Sequence, residues 1–289
     1  FLERMRALMD EFKARPTVGE DGDSHLSIKL MGEYTSGRKM HMANSFEMLG
    51  PDFSAAHFRS RIESFFRGAP EGWPCWAFSN HDVPRHVGRW LAHAKDRDAL
   101  AKQAAAMLLS FEGSVCLYQG EELGLVNTDL DFDELTDPDG IAFWPEYKGR
   151  DGCRTPMVWD AGAPNAGFSR ANQTWLPVKA PQQARAVSTQ EGRTDSVLAF
   201  YRRMLALRRA EPELKLGDIR FLDLPEPVLG YTRGGTILCL FNLSARPAVI
   251  DLDQPLEELL TQGATIAQGR VKLAANGVLI GRKAGGRGA

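Results

Sequence analysis

Two apolar stretches of this chain each end in a carboxylate and then give way to a loop and a helix-like segment. That pattern limits the possible folds more than any bulk property does. Residues 28–31 run into Gly32-Glu33, and residues 73–78 run into Ser79-Asn80-His81-Asp82-Val83-Pro84-Arg85. Short, largely apolar runs bounded by turn residues suit strands buried on both faces of a parallel sheet. In a closed barrel of alternating strands and helices, chemistry collects at the carboxyl ends of the strands. Glu33 and Asp82 lie 49 positions apart. That distance suits two strand-helix steps, one of them short, because such a step averages about 30 residues in an eight-unit barrel.

The rest of the chain is consistent with this pattern. Leu2, Met5, Met9 and Phe12 fall at helical spacing among charges, and the helix they predict stops before Pro16. A polar loop over 17–24 leads to the expected strand 26–31. A second strand is expected within 40–49, a helix over 54–67 and a break at 68–72. Residues 73–79 read as the strand before Asp82, and 94–110, rich in Ala, Leu, Lys and Gln, as a strong helix. Residues 114–118 read as the last barrel strand, and Glu121-Glu122 as a cap on the next structural segment. An irregular stretch rich in Pro, Gly, Asp and Trp then runs to Arg193, long enough to imply a functional loop. Residues 195–210 form another helix, ended by Pro212. From Gly217 onwards short β-like runs at 219–222, 228–232, 236–242 and 248–252 predict a small antiparallel β-domain, with a flexible tail over 284–289. The expected division is 1–213 and 214–289.

These motifs resemble the α-amylase family of retaining glycoside hydrolases, in which the general acid/base is a Glu ending one barrel strand and a stabilising Asp follows Asn-His two strands later. A third segment, Gly149-Arg150-Asp151-Gly152-Cys153-Arg154-Thr155-Pro156-Met157-Val158-Trp159-Asp160, is similar to the Arg-Asp-x-x-Arg-Thr-Pro-Met-x-Trp segment of the α-glucosidase branch. The resemblance implies an α/β fold: the carboxyl-terminal half of a (β/α)8 barrel, strands 5 to 8, followed by the antiparallel β-domain. It assigns Glu33 as general acid/base and Asp82 as the carboxylate that holds the reacting glucose and stabilises positive charge on its ring. His81 would donate to a sugar hydroxyl and Arg154 would hold the terminal glucose. Arg150 and Arg85 are weaker substrate-binding candidates, and Phe46, Trp144 and Trp159 could offer stacking surfaces, though packing explains each as well. Asn80 is expected to shape the turn.

Retention requires a nucleophile and a proton donor about 5 Å apart. The family's Gly-Phe-Arg-x-Asp nucleophile strand has no counterpart before Glu33. Asp10 lies in a charged helix-like stretch, and Asp21 and Asp23 in a polar loop. The expectation is therefore an α-glucosidase portion without its nucleophile, inactive alone and needing a missing amino-terminal half or an oligomeric partner. Maltose-like or isomaltose-like α-glucosides are the expected substrates. A transglucosidase or sucrose isomerase would use the same groups, and a non-catalytic barrel acting as a binding or partner-stabilising module is the alternative from another class.

Composition removes other classes. A formal charge of −2 gives no pull toward nucleic acid or anionic membrane, and no apolar run approaches a membrane span. Cys75, Cys116, Cys153 and Cys239 are isolated in sequence. They suggest buried free thiols in a cytoplasmic protein rather than a zinc or redox site. No cofactor is expected within this chain; a structural metal site, if the family's metal loop exists here, belongs to the amino-terminal half. The glycosylation-like Asn172-Gln173-Thr174 and Asn242-Leu243-Ser244 carry no weight.

Overall fold

A computed structural model describes residues 1–20 and 27–284. Four short strands, β1 (Val18–Gly19), β2 (Met42–Ser45), β3 (Pro74–Trp76) and β4 (Ser114–Val115), form a parallel sheet in sequence order. Gly19 pairs with Ala43, Asn44 with Cys75, and Trp76 with Val115. Helices Ser27–Thr35, Ala55–Gly68 and Arg97–Ser110 make the crossovers, and Val197–Ala210 follows β4 after the long loop. Strands laid down in order without reversal belong to a (β/α)8 barrel; a doubly wound sheet would turn back on itself. The chain therefore builds half of such a barrel.

One expected strand is a helix. Residues 26–31 were expected to deliver Glu33, but Ser27–Thr35 is α-helical, and the strand is Val18–Gly19, within the expected polar loop. Packing explains the difference, because so short a largely apolar run cannot by itself distinguish strand from buried helix. Met31 is buried, and a Cβ added at Gly32 would lie 2.5 Å from Ala69 Cβ. The glycine is there so that this helix can lie close against the end of the Ala55–Gly68 helix. Residues 21–26, including Asp21 and Asp23, and 285–289 of the expected tail lie outside the described residues.

The second sheet contains β5 (Ile219–Phe221), β6 (Val228–Arg233), β7 (Ile237–Asn242), β8 (Ala248–Asp251), β9 (Leu256–Ala267) and β10 (Arg270–Lys283). It is antiparallel in the order β5-β6-β7-β10-β8, with β9 also on β10. The β-pattern legible in the sequence stops at the fourth of these runs and misses the β9–β10 hairpin. Gln268 and Gly269 turn it with φ of +50° and +74°, the two left-handed residues that a tight hairpin needs. Glutamine is not a usual first residue there, so the turn carries no sequence flag.

The Arg97–Ser110 helix joins the two sheets and is buried from Leu100 through Ser110. Asp96 caps it by accepting from Asp98 N and Ala99 N at 2.7 and 3.0 Å. Its leucines and Met107 share one core with Phe58, Phe78 and Trp90 on the barrel side and Tyr231, Cys239 and Ile280 on the β-domain side. Buried polar groups fasten it. Gln103 donates to Asn242 O and Gly277 O at 2.8 and 3.2 Å, and accepts from Asn276 Nδ2 at 3.1 Å. The buried Arg233 donates to the carbonyls of Ser110, Leu214 and Gly217. In return, Glu226 accepts from Ala55 N and Ala56 N at the start of a barrel helix.

All four cysteines are free; Cys75, Cys153 and Cys239 are buried but Cys116, expected inside, is exposed. Val115 and Leu117 pack on the core, so alternation along the strand turns Cys116 to the other face. Burial pushes the Cys75 and Cys239 thiols up to about 12. Among the described residues no helix is long and apolar enough to cross a membrane.

Gly32→Ala forces its methyl into Ala69. The expected loss is about 1–3 kcal/mol, as for other overpacked sites, read as a lower urea midpoint at unchanged slope.

Candidate active site

The loop after β3 carries the best-formed cluster of polar groups. Asn80 Oδ1 accepts from Asp82 N at 2.9 Å and Val83 N at 3.1 Å, which bends the chain and turns Asp82 outward. Behind the turn, Ser79 Oγ accepts from His86 N at 2.9 Å and lies 3.0 Å from His86 Nδ1. Glu121 Oε1 is 3.6 Å from the same nitrogen, with both side chains buried. Sequence reasoning assigned Glu121 a capping role and gave His86 none. The structure places both in the support of the Asp82 loop.

Asp82 stands between two arginines from the long loop. Arg154 Nη2 donates to its Oδ1 at 2.7 Å, while Arg154 Nε donates to His81 O at 2.7 Å. Arg150 Nη1 reaches the same carboxylate oxygen at 3.4 Å. His81 stays exposed, its Nε2 3.4 Å from Asp82 Oδ2. The expected cluster of His81, Asp82, Arg150 and Arg154 thus comes together, with Asp82 at its centre.

The two arginines differ in how they are held. Arg150 forms a two-pronged pair with buried Asp137, Nε to Oδ2 at 2.8 Å and Nη2 to Oδ1 at 3.0 Å, and its backbone N also donates to Oδ2. Hydrogen bonding from that guanidinium holds the Asp137 carboxyl well below the usual carboxylate range. The neighbouring Asp151 accepts from Thr136 N and Asp137 N at 2.6 and 2.7 Å. Arg150 is therefore mainly a strut, whereas Arg154 keeps its whole fork on the His81-Asp82 unit.

Two candidate residues are displaced. Arg85 is only 2% exposed. Its guanidinium donates to Gln119 O and Cys153 O and lies over the Tyr118 ring, 4.9 Å from its centroid. Burial lowers its pKa from the ordinary arginine value. It ties the β3, β4 and long-loop segments together from behind and offers nothing to a ligand. Glu33 sits on the exposed face of the Ser27–Thr35 helix with Lys29 Nζ 3.9 Å from its carboxylate, an ordinary i, i+4 surface pair. A helix side chain there does not stand at a strand end.

The residue that does is Glu20, exposed and immediately after β1. It precedes Asp82 by 62 positions, two strand-helix steps of about 30 residues. The spacing was the available signal. The two-residue strand before it is too short to show any periodicity, so the longer run at 28–31 drew the assignment instead.

The family profile described as "Alpha amylase, catalytic domain" matches residues 1–217. The chain belongs to the α-amylase family. Its relatives there include a probable alpha-glucosidase of Rhizobium meliloti (strain 1021), 49% identical over 98% of this chain and 53% of the relative. An oligo-1,6-glucosidase of Heyndrickxia coagulans is 32% identical over 65% of this chain and 37% of its own length. Among solved structures, the alpha-glucosyl transfer enzyme XgtA superposes with a TM-score of 0.89 at 43% identity, over 98% of this chain and 53% of that one. The trehalulose synthase MutB superposes with a TM-score of 0.83 at 25% identity, over 97% and 58%. The chain thus spans about half the length of these α-amylase family relatives. Among the described residues no group of three or more His, Cys, Asp or Glu side chains could hold a metal ion.

The Arg150–Asp137 pair makes stability depend on acidity. A carboxyl depressed in the folded state stabilises fully above its unfolded value of about 3.9 and loses that contribution as the pH falls further. Thermal unfolding of Asp137→Asn should therefore start from a lower midpoint at neutral pH and decline less steeply than the parent on acidification. Parallel curves would contradict the ion-pair assignment.

Proposed function

We propose that this chain supplies the proton donor and the charge-stabilising carboxylate of a retaining α-glucosidase that releases glucose from the non-reducing end of maltose-like or isomaltose-like oligosaccharides. The observation that carries the reading is the placement of Glu20 and Asp82 after alternate strands of one parallel sheet, with Asp82 held by Arg154.

In this reading Glu20 gives its proton to the glycosidic oxygen as the bond to the anomeric carbon breaks. A nucleophilic carboxylate on the strands that complete the barrel takes that carbon from the opposite face. Glu20, now ionised, then removes a proton from water as it attacks the glycosyl-enzyme, and the free carboxylate and Glu20 acid are restored. Asp82, held between Arg154 and Arg150, accepts from hydroxyls of the reacting glucose and offsets positive charge on its ring. His81 donates to a neighbouring hydroxyl, and Arg154 closes the pocket around the terminal unit. No organic cofactor enters these steps, and four unpaired cysteines support a cytoplasmic location.

Similarity to a glucosyl transfer enzyme at 43% identity favours a second reading. The same residues would then pass the glucosyl unit to a sugar hydroxyl in place of water. A non-catalytic binding role is less consistent with two carboxylates kept at strand ends beside an arginine clasp.

The isolated chain is expected to show no turnover of a nitrophenyl α-glucoside, since the reading puts the nucleophile elsewhere. In the full-length enzyme, Glu20→Gln should lower kcat by about 10²–10⁴-fold, the usual contribution of general acid-base catalysis. The loss should be smaller for a dinitrophenyl leaving group, which departs without a proton. Glu33→Gln, a surface change, should stay within roughly twofold of the parent. The reverse ranking of the two variants would return the acid/base role to Glu33.

A further inference from the structure

The long loop contains a cavity that none of the catalytic steps uses. It measures about 450 Å³ and lies between residues 133–136 and 172–178, within the 300–1,000 Å³ common for small-molecule sites. We propose that it is a second saccharide-binding site, taking neutral hexose units of an oligosaccharide separately from Asp82.

The frame of the cavity is fixed from within. Glu134 is held by Lys179 Nζ at 2.6 Å and by Asp131 N at 2.8 Å. Thr174 Oγ1 donates to Leu176 O at 2.7 Å, and Asn165 Nδ2 donates to Ala171 O at 2.7 Å. Thr136, on the inner wall, is bonded to buried Asp151. Leu135 and Leu176 form a small apolar cluster beneath. Such a frame needs little reordering to accept a ligand.

What the frame presents is chemically specific. Trp175 is 69% exposed on the cavity wall, which leaves a large flat ring open to a ligand. The C–H face of a pyranose covers such a ring, removing apolar area from water while leaving its hydroxyls at the edge. Asn172, Gln173 and Asp133 share the lining with Trp175, residues whose amides and carboxylate can donate to and accept from sugar hydroxyls. Glu134 is already paired with Lys179, so Asp133 is the carboxylate left to the ligand: a neutral sugar donates its hydroxyls to it, and a phosphorylated one would meet its negative charge. The lining shares no residue with Asp82, His81 or Arg154. Yet both sites hang on the same loop, because Thr136 adjoins the Asp137 that fixes Arg150.

The test is calorimetric titration of the 289-residue chain and its variants with maltotriose, with the Trp175 indole NMR signal of the parent, assigned by its loss in Trp175→Phe, followed in parallel. A saturable shift of the Trp175 signal is expected. Trp175→Phe should retain binding, while Trp175→Ala or Asn172→Ala with unchanged circular dichroism should weaken it by roughly tenfold or more, the scale of a lost stacking or amide contact. Asp82→Asn should leave this shift intact, so the outcome does not depend on the catalytic reading. Absence of any shift, a shift equally produced by a polar peptide, or one abolished by Asp82→Asn would overturn the proposal.

Discussion

Burial of the Arg97–Ser110 helix between two sheets is the constraint on which the rest depends. Every residue from Leu100 through Ser110 is buried, so this helix has no water-facing stripe along that length and cannot be satisfied by the barrel alone. The β-domain supplies its second wall. Apolar area drives the contact without fixing its orientation, and orientation comes from the polar groups buried within it. Gln103 exchanges hydrogen bonds with Asn242, Asn276 and Gly277, and Arg233 ties the Ser110 carbonyl at the helix end to those of Leu214 and Gly217. Each is costly to leave unpaired, so the two sheets have one register relative to each other.

A similar logic places Asp82. Its loop follows a short strand and could point in several directions, but the Asn80 turn and the Ser79–His86 contacts leave one. The long loop then crosses over it with Arg154 and with Arg150, whose own position is set by a buried carboxylate. Asp137 holds Arg150, and Asp151 holds the backbone of Thr136 and Asp137. Removing one member of such a buried network leaves the other charge uncompensated. Rigidity around Asp82 is thus achieved with charges rather than with apolar core.

Where the residues carried their own hydrogen-bonding instructions, the sequence was informative. Asn80-His81-Asp82 and the Arg150 to Arg154 segment were readable because short polar side chains fold onto their own backbone and paired guanidinium and carboxylate groups find each other. The β-runs from 219 to 252 were readable from alternation and turns. Glu33 shows where that ends: an apolar run before a Gly-Glu pair looks the same whether the glycine frees a strand end or lets two helices touch. Gly32 does the second, against Ala69. Arg85 shows a related ambiguity, since an arginine beside the Asn80-His81-Asp82 motif can serve either a ligand or the scaffold, and only its 2% exposure decides.

By itself the sequence determined the alternation of strands and helices, the change to an antiparallel domain after Gly217, and the family to which its polar motifs belong. These come from local periodicity and local hydrogen bonding, which act over a few residues. The tertiary structure alone decided which glutamate stands at a strand end, which arginine meets Asp82, and that a cavity opens beside Trp175. Those outcomes depend on contacts between residues tens of positions apart. A two-residue strand such as Val18–Gly19 exists only because Met42 and Ala43 lie beside it to complete its hydrogen bonds.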